Sequence, residues 1–360
     1  MTADGGFNKV VRRHAPDTGQ RHTEALTDHE GPEARMLHEA IAGRLLAHLR
    51  DHYAIDAVAA TQISQHNDHV FRIDRRDGDS WIARVFPAAR PRAGVEGDAA
   101  ILKLLARQDY PAERLATDDA VSELDGSSVL VTQFVTGRLL PSPAVGPEGN
   151  EKFAVMGDLL GRLHALPFDQ SVSRPGGASG EDPSHEGSPR QDLMAALALL
   201  DAIDMKVAAA TRERFDRLRD LVLSADDGQG LPEALLHGNL LHAPDHVIVG
   251  EKGPVAIQWK SAGRGPRLAD FAYLMWGTWL NAEWIDAAVG AYRRHVELTD
   301  DELDRLESVM YVRPLYLACF DLRRSVASGR QPSSGDGWWS QPDAKYISAA
   351  AAATRTAYRR

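Results

Sequence analysis

The chain has 360 residues, 43% of them hydrophobic, a single cysteine and a formal net charge of −10. That length buries a sizeable core and predicts two lobes or domains. The lone Cys319 excludes an intrachain disulfide or a multi-thiolate metal site, and the negative balance argues against general affinity for nucleic acid or an anionic membrane. No stretch approaches the roughly 20 apolar residues that span a bilayer, and the polar N-terminal segment lacks the apolar centre of a signal peptide, so an intracellular, cytoplasmic protein is expected.

Residues 1–31, rich in Gly, Asp, Thr and His, read as a flexible tail. From Pro32 onward Leu37, Ile41, Leu45 and Leu49 recur every four residues and predict a helix with one apolar face. Three short strands follow over 57–63, 70–73 and 81–86. The turn Arg76-Asp77-Gly78-Asp79 makes them an antiparallel meander. A helix over 95–106 turns Ile101, Leu104 and Leu105 inward, and two further strands are expected near Val121 and over 129–134. Beyond Gly137 the pattern is mainly helical, including 156–166, 191–204 and 210–225. The Ser-, Gly- and Pro-rich segment 169–190 reads as an exposed loop. From Ala282 the chain predicts amphipathic helices broken over 328–337, with Ala349 to Ala353 in a terminal helix.

The densest pattern lies between 234 and 274. An apolar run, Ala234-Leu235-Leu236, leads into His237-Gly238-Asn239-Leu240. A strand over 247–249, a Gly250-Glu251-Lys252-Gly253 turn and a second strand over 255–259 follow. Then come Gly265-Pro266-Arg267-Leu268-Ala269-Asp270 and an apolar helix from Phe271. This order resembles the aminoglycoside phosphotransferase and choline kinase group of kinase-like enzymes, whose pattern reads roughly His-Gly-Asp, loop, strand, hairpin, Ile-Asp-Trp, then Gly-x-x-x-x-Asp-Leu/Phe-Ala. The resemblance covers roughly 55 to 280. It implies an α+β, bilobal, protein-kinase-like fold: a small antiparallel β-sheet lobe with a leading helix over 32–134, a hinge from Thr132 to Gly137, and a larger, mainly helical lobe over 135–360. It also implies ATP and Mg2+ as cofactors.

Asn239 and Gln258 stand where that pattern has its two aspartates. Asn239 accepts a hydrogen bond but is no base near neutral pH, and loss of general-base help costs about 10² to 10⁴ in rate. Gln258 removes an anionic oxygen of the kind magnesium prefers. His246 falls nearest the remaining metal-ligand position. For the nucleotide, the resemblance points to Asn67 before the second strand, in a segment (64–69) without glycine. It also points to Arg84 in place of a lysine, with Asp98 or Glu96 as its partner, and to Gln133 at the hinge. Were the strand to continue past Gln258, Lys260 would point to the same side and supply positive charge. Weakened or absent nucleotide and metal binding is therefore expected.

His237 reads as an organiser of the loop and Asp270 as an anchor of its backbone. His242, Asp245 and His246 are an alternative metal set. Trp276, Trp279 and Trp284 line an acceptor pocket or pack a core, Glu283 and Asp286 bind a cation or are simply solvated, and Trp338-Trp339 is a docking patch or a folded-back loop. Two functions remain open. One is a pseudokinase-like binding subunit, with a small-molecule or peptide ligand or a partner enzyme, in a biosynthetic or resistance pathway. The other is an ATP-dependent phosphotransferase acting on a hydroxyl of an antibiotic, sugar or peptide.

Overall fold

The computed structural model describes residues 32–64, 69–140, 147–167, 188–240, 246–329 and 344–360. The expected tail, Asn67, most of the 169–190 loop, His242, Asp245 and the Trp338-Trp339 pair lie outside them. The architecture is α+β, with an N-terminal antiparallel sheet and a helical C-terminal part. The chain divides into two compact units, Met1–Phe86 and Pro87–Arg360.

In the first unit, helix α1 (Pro32–Tyr53) buries Leu45 and Leu49 completely. Three antiparallel strands follow: β1 (Ala57–Ser64), β2 (His69–Arg75) and β3 (Trp81–Val85). Period-two alternation puts Phe71 and Ile73 in the core. The Arg50 Nε–H donates to the Ala57 carbonyl at 2.7 Å and ties the helix end to β1.

The second unit begins with α2 (Arg92–Arg107), whose Val95, Ile101, Leu102 and Leu105 form a buried stripe. Strands β4 (Val121–Leu124) and β5 (Ser127–Gln133) form a hairpin closed by Asp125-Gly126. Both residues have positive φ, 51° and 79°, as a two-residue turn matched to strand twist requires. A short β6 (Arg138–Leu139) pairs with β8 (Val247–Gly250), which in turn pairs with β9 (Gly253–Ala256).

The helices of this unit are α3 (Pro147–His164), α4 (Pro189–Asp201), α5 (Ala209–Ser224), α6 (Arg267–Trp276), α7 (Ala282–Arg293), α8 (Asp300–Asp304), α9 (Leu306–Ala327) and α10 (Ala344–Arg359). Leu199, Leu200, Phe215, Leu218, Leu315 and Leu322 belong to one core shared by α4, α5 and α9. Cys319 lies in that core, and burial pushes its thiol up to about 12, which removes thiolate reactivity. Helices α3 and α7 pack closely because α3 presents glycines: a Cβ on Gly161 would stand 2.8 Å from the Tyr292 carbonyl oxygen. Among the described residues no helix is long and apolar enough to cross a membrane.

One unassigned run is placed here and one expectation corrected. The Ala234-Leu235-Leu236 run is a strand, β7 (Glu233–Leu236), paired antiparallel with an unforeseen β10 (Gly263–Pro266). The strand expected over 255–259 stops at Ala256. Gln258 takes a left-handed conformation (φ 70°, ψ 56°), and a 3-10 turn spans Trp259–Ser261. The chain curls there because the Trp259 indole N–H reaches back to the Ala256 carbonyl at 3.1 Å, while the Gln258 N–H is taken by a carboxylate from elsewhere. Strand alternation therefore does not relate Lys260 to Gln258.

Candidate active site

The site is assembled by the β7–β10 pair. Leu236 lies opposite Gly263 and Glu233 opposite Pro266, so the antiparallel pair starts α6 beside the beginning of β7, and the first turn of the helix brings Asp270 back to the loop that leaves β7. Asp270, in that first turn, is buried. Its carboxylate accepts the N–H of His237 at 2.7 Å and that of Gly238 at 3.0 Å.

His237 is fully buried, and its two ring nitrogens have defined roles. Nε2–H donates to the Ile257 carbonyl at 3.0 Å, which leaves Nδ1 to accept the Asn239 N–H at 3.3 Å. Both bonds require the neutral ring. Burial lowers the imidazole below its ordinary value, with Asp270 opposing. His246 Nδ1–H donates to the Asn239 carbonyl at 2.6 Å, and the His246 carbonyl accepts the Ile257 N–H at 2.9 Å. The backbone of Asn239 is thus held at both polar groups. Its side-chain Oδ1 is buried and has no hydrogen-bond partner among the described residues.

Gln258 is fixed from another direction. The segment 111–113 runs parallel to the end of β9, bridging Ala112 to Ala256. The Glu113 N–H donates to the Ala256 carbonyl and the Ala256 N–H to the Pro111 carbonyl. This register aims the buried Glu113 carboxylate at Gln258. One oxygen accepts the Gln258 N–H at 2.7 Å and the other the Thr132 hydroxyl at 3.0 Å.

The structure therefore joins His237, Asn239, His246 and Asp270 in one hydrogen-bonded network that also takes in the backbone of Ile257, the residue before Gln258. Lys260, half-buried in the 3-10 turn, is linked to Asp98 through Arg90, whose Nη2 reaches the Lys260 carbonyl at 3.5 Å and the Asp98 carboxylate at 2.7 Å. The ion-pair partner of Asp98 within this unit is thus Arg90, from the loop ahead of α2. Gln133 ends β5 with an exposed side chain, its N–H on the Arg114 carbonyl. In the first unit Arg84 is buried on β3, with Nε unpartnered. Trp284 packs on Phe153 in the interior, whereas Trp276 and Trp279 belong to an aromatic strip with Tyr273 and Tyr346.

Four residues escaped the sequence reading: Glu113, Arg90, Asp192 and Arg313. Arg313 Nη2 donates to the Gly238 carbonyl at 2.8 Å, and its Nε sits 3.2 Å from Asp192. The signal for Arg313 was an arginine on the buried side of a long apolar helix, beside Val309, Val312 and Leu315. Glu113 and Arg90 gave none.

Of the two positions expected to hold a divalent cation, 258 offers a carboxamide and 246 an imidazole whose Nδ1 is on the Asn239 carbonyl. The acids around them are engaged: Asp270 by two backbone N–H groups, Glu113 by Gln258 and Thr132, and Asp98 by Arg90. Among the described residues no group of three or more His, Cys, Asp or Glu stands together as a metal site.

No curated protein matches the chain, but solved structures do. An ethanolamine kinase from Plasmodium vivax shares 12% identity at a TM-score of 0.59, over 95% of this chain and 94% of that one. An amicoumacin kinase, in complex with AMP-PNP and Ca2+, shares 14% at 0.56 over 85% and 92%. A choline/ethanolamine kinase family protein from Mesorhizobium loti shares 17% at 0.54 over 87% and 99%. At these identities the likeness speaks for the fold. The sequence profile described as APH, phosphotransferase enzyme family, matches residues 59–307, and the chain belongs to that family.

Proposed function

We propose that this protein binds a nucleoside triphosphate and transfers its terminal phosphoryl group to a hydroxyl of a small molecule, with Asn239 orienting that hydroxyl rather than deprotonating it. The observation that carries the reading is the Asn239 side-chain oxygen, buried and without a donor among the described residues, at the position the family resemblance assigns to the acceptor. A buried acceptor without a partner is costly, and an incoming O–H satisfies it. Phosphoryl transfer suits such a site because its loose transition state asks for positioning more than for base catalysis. The acceptor oxygen bonds to the γ-phosphorus as the bond to the bridging oxygen breaks. The hydroxyl proton leaves to the transferred phosphoryl group or to solvent.

A divalent cation does not suit the donors at 258 and 246, a carboxamide and an imidazole, since magnesium and calcium favour anionic oxygen. In this reading Lys260 carries charge that meets the phosphates, and Asp98 and Gln133 are nucleotide-side residues. The amicoumacin kinase holds a nucleotide analogue together with Ca2+, so metal dependence is the point at which this chain departs from that relative.

The second reading is a binding subunit that works beside a partner enzyme. It is favoured by the neutral carboxamides at 239 and 258. Thermal unfolding with ATP, in magnesium and in EDTA, followed by transfer assays with ethanolamine and amicoumacin as acceptors, separates the two. ATP stabilisation that survives EDTA, with transfer slower by about 10² to 10⁴ than general-base catalysis allows, supports phosphotransfer. Absence of any ATP stabilisation ends that reading and leaves the binding subunit. Asn239→Asp with Gln258→Asp should then introduce magnesium-dependent nucleotide binding.

A further inference from the structure

Gly238 and Asn239 share one peptide unit, and its two polar ends are held by different parts of the chain. The Asn239 N–H is on His237 Nδ1, two residues away, while the Gly238 carbonyl is on Arg313 Nη2, from the middle of α9. Gly238 has φ of 79°, a conformation glycine enters and leaves at little cost. The loop itself supplies one restraint on this peptide, the His237 ring, and α9 supplies the other from outside.

The clamp is built to hold still. Asp192, buried on α4, grips Arg313 Nε, and the guanidinium lies 5.0 Å from the centroid of the Tyr273 ring. Yet it is a poor stabiliser of the fold. Both partners are more than nine-tenths buried, and among the described residues Arg313 Nη1 and Asp192 Oδ1 have no hydrogen-bond partner. A buried ion pair with unsatisfied atoms returns little net stability compared with an apolar pair of the same size. What this pair does supply is direction to the Gly238 carbonyl, and through it to the residue that follows.

We propose that Arg313, held by Asp192, is a positioning residue for Asn239: it sets the orientation of the Gly238–Asn239 peptide and thereby the direction of the Asn239 carboxamide. The functional consequence rests on the reading of Asn239 as the group that meets the acceptor hydroxyl. The structural half does not.

The test uses the full chain with Arg313→Lys and the double variant Arg313→Met with Asp192→Asn. Lysine keeps a charge for Asp192 but is a point donor, unable to span both Asp192 and the Gly238 carbonyl as the guanidinium fork does. The double variant removes the charge problem altogether, so that no carboxylate is left buried without its partner. Amide hydrogen exchange is followed at Gly238 and Asn239, with thermal unfolding recorded on the same samples. The Asn239 amide should exchange about tenfold faster or more in both variants, the scale of losing one charge-assisted hydrogen bond, while Arg313→Lys unfolds near the temperature of the parent. Parent-like exchange at Asn239 in both variants overturns the proposal, because the pair would then be a packing element only. ATP hydrolysis gives the second readout: kcat falls with KM for ATP unchanged, and a raised KM with intact kcat also overturns the proposal. If the parent protein turns over no ATP, the phosphotransfer reading falls on its own, and the exchange result still decides the role of Arg313.

Discussion

Glu113 and Gln258 are 145 residues apart in sequence, and the buried carboxylate of the first accepts the backbone N–H of the second at 2.7 Å. The other Glu113 oxygen receives the Thr132 hydroxyl at 3.0 Å, so one acid fastens both the end of β5 and the left-handed residue after β9. Glu113→Gln retains an acceptor for the Gln258 N–H, and the Thr132 hydroxyl can turn to accept from the new amide. This change should cost on the order of 1 kcal/mol. Glu113→Ala strands both donors and should cost about 3 kcal/mol, since a hydrogen bond to a charged group is worth about 1.5–3 kcal/mol. Urea unfolding of the two variants checks the order, and equal losses would mean that the carboxylate contributes only volume.

The contrast between Asp270 and Glu113 explains what could be read from the sequence. Asp270 belongs to a pattern of fixed spacing, His-Gly followed by Gly-x-x-x-x-Asp, and the β7–β10 pair turns that spacing into two hydrogen bonds. The meander and the helices were legible for a related reason, because alternation and fourfold recurrence are local. Glu113, Arg90, Asp192 and Arg313 act singly across long separations, and a lone charged residue carries no period. Lys260 shows the opposite error. A local rule was extended to a residue four beyond the end of its strand at Ala256, past Gln258 with its positive φ. The identities at 239 and 258 were visible from the outset, but their backbone restraint was not.

The packing of α3 on α7 gives a test that involves no polar group. A Cβ on Gly157 would come closer to the Ala288 carbonyl than real Cβ atoms approach, and the obstacle is backbone, which cannot swing aside. Gly157→Ala should therefore destabilise by about 1–3 kcal/mol, the range for overpacking a filled interior. It does so despite the better helix propensity of alanine. Gly290 on α7 is the control, being exposed with nothing within 4 Å of its added Cβ. There the same change should stabilise by up to about 1 kcal/mol. Chemical denaturation of both variants should give opposite signs.

Two buried groups near the loop respond to pH in opposite directions. His237 has its proton affinity lowered by burial. Below about 6.5 the unfolded chain takes up a proton there that the fold refuses, and this part of the stability is lost as pH falls. Asp192 is the reverse case. Burial pushes it up to about 6, with Arg313 pulling down and Asp270 adding to the rise. The neighbouring Tyr273 is itself pushed up to about 12 by burial and stays neutral. The fold therefore binds a proton at Asp192 before the unfolded chain does. The stability tied to that proton is fully present below the unfolded value of about 3.8 and is lost as pH rises through about 6. Asp192→Asn removes this dependence and leaves that of His237. The stability of the parent minus that of Asp192→Asn should then increase between pH 7 and pH 4.5, by on the order of 2 kcal/mol at one pKa unit per 1.36 kcal/mol. Urea unfolding at those two pH values measures the difference, and a value independent of pH would mean that Arg313 outweighs burial and keeps Asp192 ionised throughout.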